Sequence, residues 1–426
     1  MSKAQLNGIN IYHDFITFDA QLDRHNDPSF WILLGEAKSK SIHVGRVPLR
    51  ADTSTEIMRI YFAKGVNATT AIEGNSLTED QVRQRIEGKL DLPPSLSYQG
   101  TEVDNMTAQY QRVMGECMTG DLGYNISPSF IDSVNAGVLA NLENEDHVVP
   151  GRYRDIVVTV GPYRAPDPTH VPDLMKRFCE WLNGREFHSP DEDLRVPLGF
   201  LRATLAHLYL AWIHPYGDGN GRTARLVEFR CLVSAGIPVP AAFALTSHYN
   251  DTRDMYYRQL NAASKAADPF PFLRYALQGW VDRLKDLLDH VHAQQNDLAW
   301  RDYVTQMLNL SGSRPDTIDR QRRLVIDLTA LGPTPKDQLR RATPKLVEKY
   351  AGKTLKTVTR DLNRLEEAGL VEEVSAGVWE AKQWQMMHFL PVQVFPPEID
   401  QLPLEYPGPF TADPVGCPIA NESSFE

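Results

Sequence analysis

A chain of 426 residues exceeds one ordinary domain, so two or three folding units are expected. Hydrophobic residues at 42% and charged residues at 23% exclude a disordered or fibrous chain and fit packed cores. The net charge of −11 argues against a surface that wraps nucleic acid throughout, although a local basic face is compatible with it.

Residues 1–50, with Pro28 and Pro48, read as a loose N-terminal arm. The opening MSKAQLNGINIYHDF lacks a basic start followed by an apolar run, so it does not read as a secretory signal. Ile57, Ile60, Tyr61, Val66 and Ile72 predict a helix over 53–73, stopped by Gly74 and Asn75. Helical spacing returns at 78–90 and 103–117. The β-branched run from Ile156 to Val160, punctuated by Gly161-Pro162, predicts a short strand and turn. Residues 171–183 are helical again, and 195–213 are apolar nearly all round, as in a buried central helix. Arg202 and His207 interrupt the most apolar part, 197–213, which reads as too short for a membrane span.

A Gly-rich loop follows at 214–221, then a helix from Arg222 to Ala235 ended by Gly236 and Pro238. Further helices fit 249–264, 269–292 and 295–308. Residues 311–317, SGSRPDT, read as a linker. Beyond it, residues 318–384 hold 13 Lys+Arg against 10 Asp+Glu, a local +3 that leaves −14 on the remainder. From Pro391 to Glu426 the chain is Pro-rich and acidic, an extended tail. The cysteines Cys117, Cys179, Cys231 and Cys417 show no metal-finger spacing, so buried thiols in a reducing cytoplasm are expected, with no membrane partner. The fold class is mainly α with one short β-hairpin.

The most informative stretch is His214-Pro-Tyr-Gly-Asp218-Gly-Asn220-Gly-Arg222-Thr-Ala-Arg225. Gly219 and Gly221 let backbone N–H groups approach a ligand, and a helix starts behind them, which makes an anion site. Arg222 and Arg225, three apart, share a face of the first turn and suit phosphates. Asp218 is a hard oxygen ligand at the rim, suited to Mg²⁺. His214 ends the buried helix and can take a proton near neutrality. Other phosphate and metal motifs fail on spacing. A P-loop would need Gly at Val347, a GxGxxG would need Gly at Arg222, and an EF-hand would need an oxygen ligand at that same position.

The stretch resembles the signature of Fic-domain proteins, H-x-F-x-[DE]-G-N-G-R-x-x-R, with Tyr216 where Phe is usual. The resemblance extends over roughly residues 50–290. It implies transfer of AMP from ATP to a Ser, Thr or Tyr hydroxyl of a protein, the chain itself included, with release of pyrophosphate. His214 would be the general base, and Asp218 would hold Mg²⁺ between the α- and β-phosphates. Asn220 and the N–H groups of Gly219, Gly221 and Arg222 would form the anion hole. Arg222 would meet the β-phosphate and Arg225 the γ-phosphate. A relative that phosphorylates proteins has Lys in place of the second motif Gly, so Gly221 favours nucleotidyl transfer.

Three further stretches extend the likeness. Val158, Thr159, Val160 and Gly161, after Gly151-Arg-Tyr-Arg154, resemble the family's flap hairpin, whose free edge would pair with a target protein. Tyr256 and Tyr257 resemble a pair that flanks the adenosine, with Ser264 where Asn is often found. Thr69-Thr-Ala-Ile-Glu73-Gly74-Asn75 resembles the inhibitory helix, [ST]-x-x-x-E-[GN]. Thr69 and Glu73, four apart, share a helical face, and the resemblance implies that Glu73 pairs with Arg225, as a bidentate carboxylate partner, and blocks the γ-phosphate.

In the basic module, Leu355, Val358, Leu362 and Leu365 have helical spacing, and Lys356, Arg360 and Arg364 recur on another face. A preceding helix from Pro344 to Ala351 and a following hairpin around Ser375-Ala-Gly377 make this resemble a winged helix-turn-helix. DNA contact through Lys356, Arg360 and Arg364 is one expectation, and docking or homodimerisation is the other. The domain order implied is an N-terminal helical region 1–110 with the inhibitory helix at about 53–74 and a catalytic core 111–290. A connector and linker 291–317, a winged helix 318–384 and the tail 385–426 follow. Two rival readings keep the same site: a transcriptional regulator whose pocket senses nucleotide, and a hydrolase that removes AMP with Glu73 positioning water.

Overall fold

The computed structural model describes residues 13, 15–22, 25–119 and 125–384, so the expectations for residues 1–12, the tail 385–426 and Cys417 lie outside the described residues. Two compact units are present, dividing between Leu298 and Ala299.

The first unit is helical. Helix α1, Pro28–Arg46, replaces the expected loose arm. Its Pro28 is a start signal rather than a breaker: it stands at the first helical position, and the Asp27 side chain accepts from the N–H groups of Ser29 and Phe30. Phe30, Leu34, Ala37 and Ser41 form its buried face. Helix α2, Ala51–Ile72, matches the predicted helix within two residues and packs along what becomes α9. Gly65 is the closest approach, since a Cβ there would overlap the Phe243 ring. Helix α3, Glu79–Ile86, opens with a Thr78–Gln81 capping box, and α4 runs Ser97–Thr119. Helix α5, Pro128–Val138, has no counterpart among the sequence expectations.

The hairpin is smaller than expected. Strand β1 is only Thr159–Val160, paired antiparallel with β2, Tyr163–Arg164, across a turn in which Gly161 has φ 55°. Ile156 and Val157 stand exposed outside the ladder, and Val158 joins it only by accepting from the Ala165 N–H at 3.1 Å. Helices α6, Val171–Leu182, and α7, Glu192–Ile213, follow. At 22 residues α7 is long and apolar enough to cross a membrane, contrary to the expected shortness, but it is a core helix largely buried inside the unit. Its two polar interruptions are fully buried and bonded. Arg202 donates to the Leu182 carbonyl at 2.8 Å, and His207 meets Glu228 and Tyr256.

Helix α8, Asn220–Ser234, begins two residues earlier than expected, at the left-handed Gly219. Helices α9, Val239–Asp251, α10, Arg253–Ala266, and α11, Phe270–Leu310, complete the series. The break expected between 292 and 295 does not exist, because helical periodicity runs on through it. Nor are 1–110 and 111–290 separate units: α4 crosses that boundary, and Val66, Val103, Leu226 and Trp280 share one core.

The second unit has its own core around Trp300, Leu324, Leu328, Val358, Leu362 and Trp379. Helix α12, Pro315–Leu331, starts inside the expected linker. Strand β3, Thr334–Pro335, helix α13, Pro344–Lys349, helix α14, Leu355–Glu367, and strands β4, Val371–Ser375, and β5, Val378–Ala381, follow. The three strands form an antiparallel sheet in the order β3-β5-β4. Asp361, fully buried, accepts from Arg320 at 2.7 and 3.0 Å, Gln321 at 3.2 Å and Tyr350 at 3.1 Å. That pairing fixes the rotation of α14, turning Lys356, Arg360 and Arg364 outward.

Candidate functional site

The Gly-rich loop is locked by its own residues first. Asn220 donates to the Tyr216 carbonyl and accepts the Tyr216 N–H, both at 2.9 Å. Its side-chain amide is therefore committed to shaping the loop, unlike the direct anion contact expected of it. Gly219, at φ 74°, supplies the turn into α8, and a Cβ there would press on Asn135 and Leu139. The N–H groups of Asn220, Gly221 and Arg222 are then the free donors of the first turn of a 15-residue helix.

Helix α5 supplies partners that no local pattern announces. Asn135, fully buried, donates to the Asp218 carbonyl at 3.0 Å and accepts from the Gly151 N–H at 2.9 Å. Tyr216 donates its hydroxyl to Asp132 at 2.7 Å, so the departure from Phe comes with a carboxylate to satisfy it. Burial holds the Asp132 carboxyl above its usual range, while the Tyr216 hydroxyl pulls the other way.

His214 closes α7 in a left-handed conformation, φ 49° and ψ 61°. Burial, and then the charge of Arg154, push its pKa from 6.5 down to about 4, so the imidazole is neutral at physiological pH. It faces a cavity of about 470 Å³ together with Glu73, Gly221, Arg225, Val160, Gly161, Tyr256 and Tyr257. The expected base, anion donors, flap tip and tyrosine pair therefore meet in one place.

Both motif arginines are buried and both are held by carboxylates from earlier helices. Arg225, 1% exposed, donates from Nε to Thr69 Oγ1 at 2.8 Å, and from Nη2 to the Thr69 carbonyl at 3.1 Å and Glu73 Oε1 at 2.5 Å. The expected bidentate pair is thus a single carboxylate contact, with Thr69 taking the other donor. Burial is the largest influence on Glu73 and disfavours its carboxylate, but the charge and hydrogen bond of Arg225, joined by the charges of Arg222 and Arg253, together hold the carboxyl below its usual range. Arg222, 4% exposed, donates to Glu102 Oε1 at 2.6 Å and to Asp218 Oδ2 at 3.3 Å. Glu102 also accepts from Asn75 at 3.0 Å, and burial raises its pKa. Asp218 is half exposed, a single carboxylate at the mouth of the anion site. Among the described residues no cluster of three His, Cys, Asp or Glu could cage a metal. One accessible carboxylate beside a phosphate site fits Mg²⁺, which keeps waters and takes substrate oxygens.

Residues 125–232 match the Fic/DOC family.

The protein adenylyltransferase fic-1 of Caenorhabditis elegans is 31% identical over 242 residues, 55% of this chain and 44% of its own length. The protein adenylyltransferase Fic of Nematostella vectensis is 30% identical over 235 residues, 55% of this chain and 49% of its own. The chain thus spans somewhat under half the length of these curated relatives. A solved Fic family protein from Desulfovibrio desulfuricans superposes with a TM-score of 0.52 at 21% identity, over 84% of this chain and 97% of that one, which shows the fold. A Fic-1 structure from C. elegans gives the same TM-score at 25% identity, over 62% and 73%.

In the same cavity as Glu73, Tyr256 is buried and its hydroxyl lies 2.8 Å from His207 Nε2, whose Nδ1 is 3.0 Å from Glu228. Tyr257 is half exposed and donates to the Ile72 carbonyl at 3.1 Å. Ser264 lines the same cavity. Sequence reasoning missed Asp132, Asn135 and Glu102, each of which pairs with the motif over more than eighty residues. In the second unit, Lys356, Arg360 and Arg364 share a shallow face with Thr359 and Asn363. None of the three is ion-paired among the described residues, whereas Arg320, Arg322, Arg323 and Lys349 all are.

Proposed function

We propose that this chain is a protein adenylyltransferase held in check by its own α2. It transfers AMP from ATP to a Ser, Thr or Tyr hydroxyl of a target protein or of itself. The observation that carries the reading is the meeting of His214, the α8 N-terminus and the Glu73–Arg225 pair in one cavity. The named relatives support the reaction class.

In this reading the neutral His214 accepts the proton of the incoming hydroxyl as that oxygen bonds to the α-phosphorus. The α,β-bridging bond breaks and pyrophosphate leaves. The N–H groups of Asn220, Gly221 and Arg222 stabilise the charge on the transferred phosphoryl, and such positioning and charge stabilisation dominate phosphoryl chemistry. Arg222 faces the β-phosphate, and Arg225, once released, the γ-phosphate. Asp218 would hold Mg²⁺, which neutralises phosphate charge when bound. Tyr256 and Tyr257 flank the adenosine. The exposed edge at Thr159 and Val160, with apolar Ile156 and Val157 beside it, receives an extended target segment by main-chain pairing. Glu73 offers Arg225 an anion in place of the γ-phosphate, so the resting state is inhibited.

Intact mass after incubation with ATP and Mg²⁺, alone and with lysate, tests the reaction. An added AMP on the Glu73→Gly chain or on a lysate protein supports it. Loss of AMP from a modified substrate would favour the hydrolase instead, and no change in either direction would leave nucleotide sensing.

A second reading concerns the second unit, where α13, α14 and the β4–β5 hairpin suit a winged helix-turn-helix. The unpaired cations of α14 favour duplex DNA as its partner. Mobility shift of the full chain should weaken steeply with salt and more gently after Lys356, Arg360 and Arg364 are changed to Ala. A complex indifferent to those changes, or none at low salt, would turn the face over to a protein partner, a second copy included.

A further inference from the structure

We infer that Arg154 is a positioning residue: it ties both legs of the hairpin to the main chain of His214, so that flap and base move as one body. The functional part of this rests on the AMP-transfer reading.

Arg154 is 4% exposed, and three of its side-chain nitrogens donate to main-chain carbonyls of three separate segments. Nε donates to His214 at 2.8 Å, Nη1 to Ile156 at 2.7 Å and Nη2 to Pro166 at 2.6 Å. Its own N–H donates to the Pro215 carbonyl at 2.9 Å. Ile156 precedes β1 and Pro166 follows β2, so both ends of the hairpin converge on this one guanidinium. The remaining acceptor segment, held at both His214 and Pro215, is the turn that carries His214 in the left-handed region, which side-chain-bearing residues seldom occupy. No ion pair involving Arg154 occurs among the described residues. A buried guanidinium without a carboxylate is costly, and an apolar side chain would fill the space more cheaply. An apolar side chain could not hold three carbonyls. Tyr163 strengthens the link by donating from β2 to the Trp212 carbonyl at 2.6 Å, two residues before the base.

A target segment paired on the β1 edge would then reach His214 at a distance set by Arg154 rather than by independent loop motion. The same charge also keeps His214 neutral. It acts with the larger effect of burial and against the Ala211 carbonyl, Glu73 and Asp218, which favour the protonated ring.

The test uses the full chain carrying Glu73→Gly, alone and with Arg154→Lys or Arg154→Ala, after melting curves establish that each folds. Arg154→Lys keeps the charge but cannot reach three carbonyls. Self-labelling from α-labelled ATP should show kcat at least about tenfold lower with the ATP KM within about threefold, because misplacement on the order of 1 Å costs rate rather than nucleotide binding. The acid limb of the pH profile should stay in place for Lys and move up for Ala, where the charge is gone. Hydrogen exchange at residues 155–166 and 212–217 should accelerate in both segments together. Parental kcat in Arg154→Lys, or loosening of only one segment, would overturn the assignment. If the Glu73→Gly parent transfers no AMP, the reaction reading fails, and the paired exchange measurement still decides whether Arg154 couples the two segments.

Discussion

The Glu73 carboxylate lies directly over Gly221: a Cβ built at 221 would collide with Glu73 Oε1 and stand 3.2 Å from Arg225 Nη1. Position 221 is in the first turn of α8, where free N–H groups attract an anion. A carboxylate from α2 therefore occupies the approach that a phosphate would need. Glycine at 221 is what allows it that close, and Arg225 supplies the charge that keeps it there.

Replacing Glu73 by Gly should convert a nearly silent enzyme into an active one, by about a hundredfold if the triphosphate is now displaced by around 1 Å. Arg225→Ala should stay silent, since it removes the γ-phosphate contact along with the restraint. Glu73→Gly also leaves a guanidinium 1% exposed without its carboxylate, so the melting midpoint should fall and recover when ATP is added. Self-labelling and melting of the three proteins at matched Mg²⁺ measure both effects. Equal labelling of wild type and Glu73→Gly would remove the inhibitory role.

His214→Ala should abolish transfer, a loss on the order of a hundredfold to ten-thousandfold for a missing general base, with ATP affinity nearly unchanged. The imidazole itself should titrate near 4 in the free protein and higher with a non-transferable ATP analogue bound, because the triphosphate adds negative charge nearby. Since the folded value lies below 6.5, the stability contributed by the neutral ring is complete above pH 6.5 and is lost as pH falls toward 4. Resonance titration of the His214 ring follows the shift. A ring that titrates at 6.5 in both states would contradict the burial argument.

What the sequence made legible was local. Base, anion donors and both arginines fall within twelve consecutive residues, and their spacing alone places them around one helix start. Thr69 and Glu73 were readable because they sit four apart on one helix. Their shared grip on Arg225 was not, since Thr69 uses a carbonyl as well as its hydroxyl. Helix α5 escaped because Ser133, Asn135 and Gly137 give PSFIDSVNAGV weak helix propensity, and its order comes from packing against α4, α6 and α8. Asp132, Asn135 and Glu102 carry no signature of their own; only the fold brings them to the loop. Helix α1 was lost by reading Pro28 as a breaker when its neighbour Asp27 marked a cap.

Tyr216→Phe restores the residue usual in the Fic signature but leaves Asp132, half buried, without the hydroxyl that donates at 2.7 Å. A hydrogen bond to a carboxylate is worth about 1.5–3 kcal/mol, and partial exposure of Asp132 should place the loss at the low end. Denaturant melts should show that cost, while labelling by Glu73→Gly/Tyr216→Phe stays within about threefold of its parent, because Asn220 holds the Tyr216 main chain rather than its ring. A severe loss of rate with intact stability would mean that the hydroxyl acts beyond the loop.

Glu102→Gln tests how Arg222 is held. Arg222 has two carboxylate partners, and Asp218 is the one that a cation would engage. In the proposed reading, with Asp218 engaged by a cation, Glu102 would be left to orient the guanidinium toward the β-phosphate. Glutamine keeps the shape but has one accepting oxygen, whereas Arg222 and Asn75 both donate to position 102. Whichever way the amide turns, one donor meets an NH₂ group, and the buried counter-charge is lost in either case. In the Glu73→Gly background kcat should therefore drop by about tenfold or more, with a smaller rise in ATP KM, since a group that stabilises the departing pyrophosphate acts chiefly in the transition state. Inhibition by added pyrophosphate should weaken in parallel, a readout that general loosening of α4 would not move selectively. Parental rate and parental pyrophosphate inhibition in Glu102→Gln would show that Asp218 alone suffices to position Arg222.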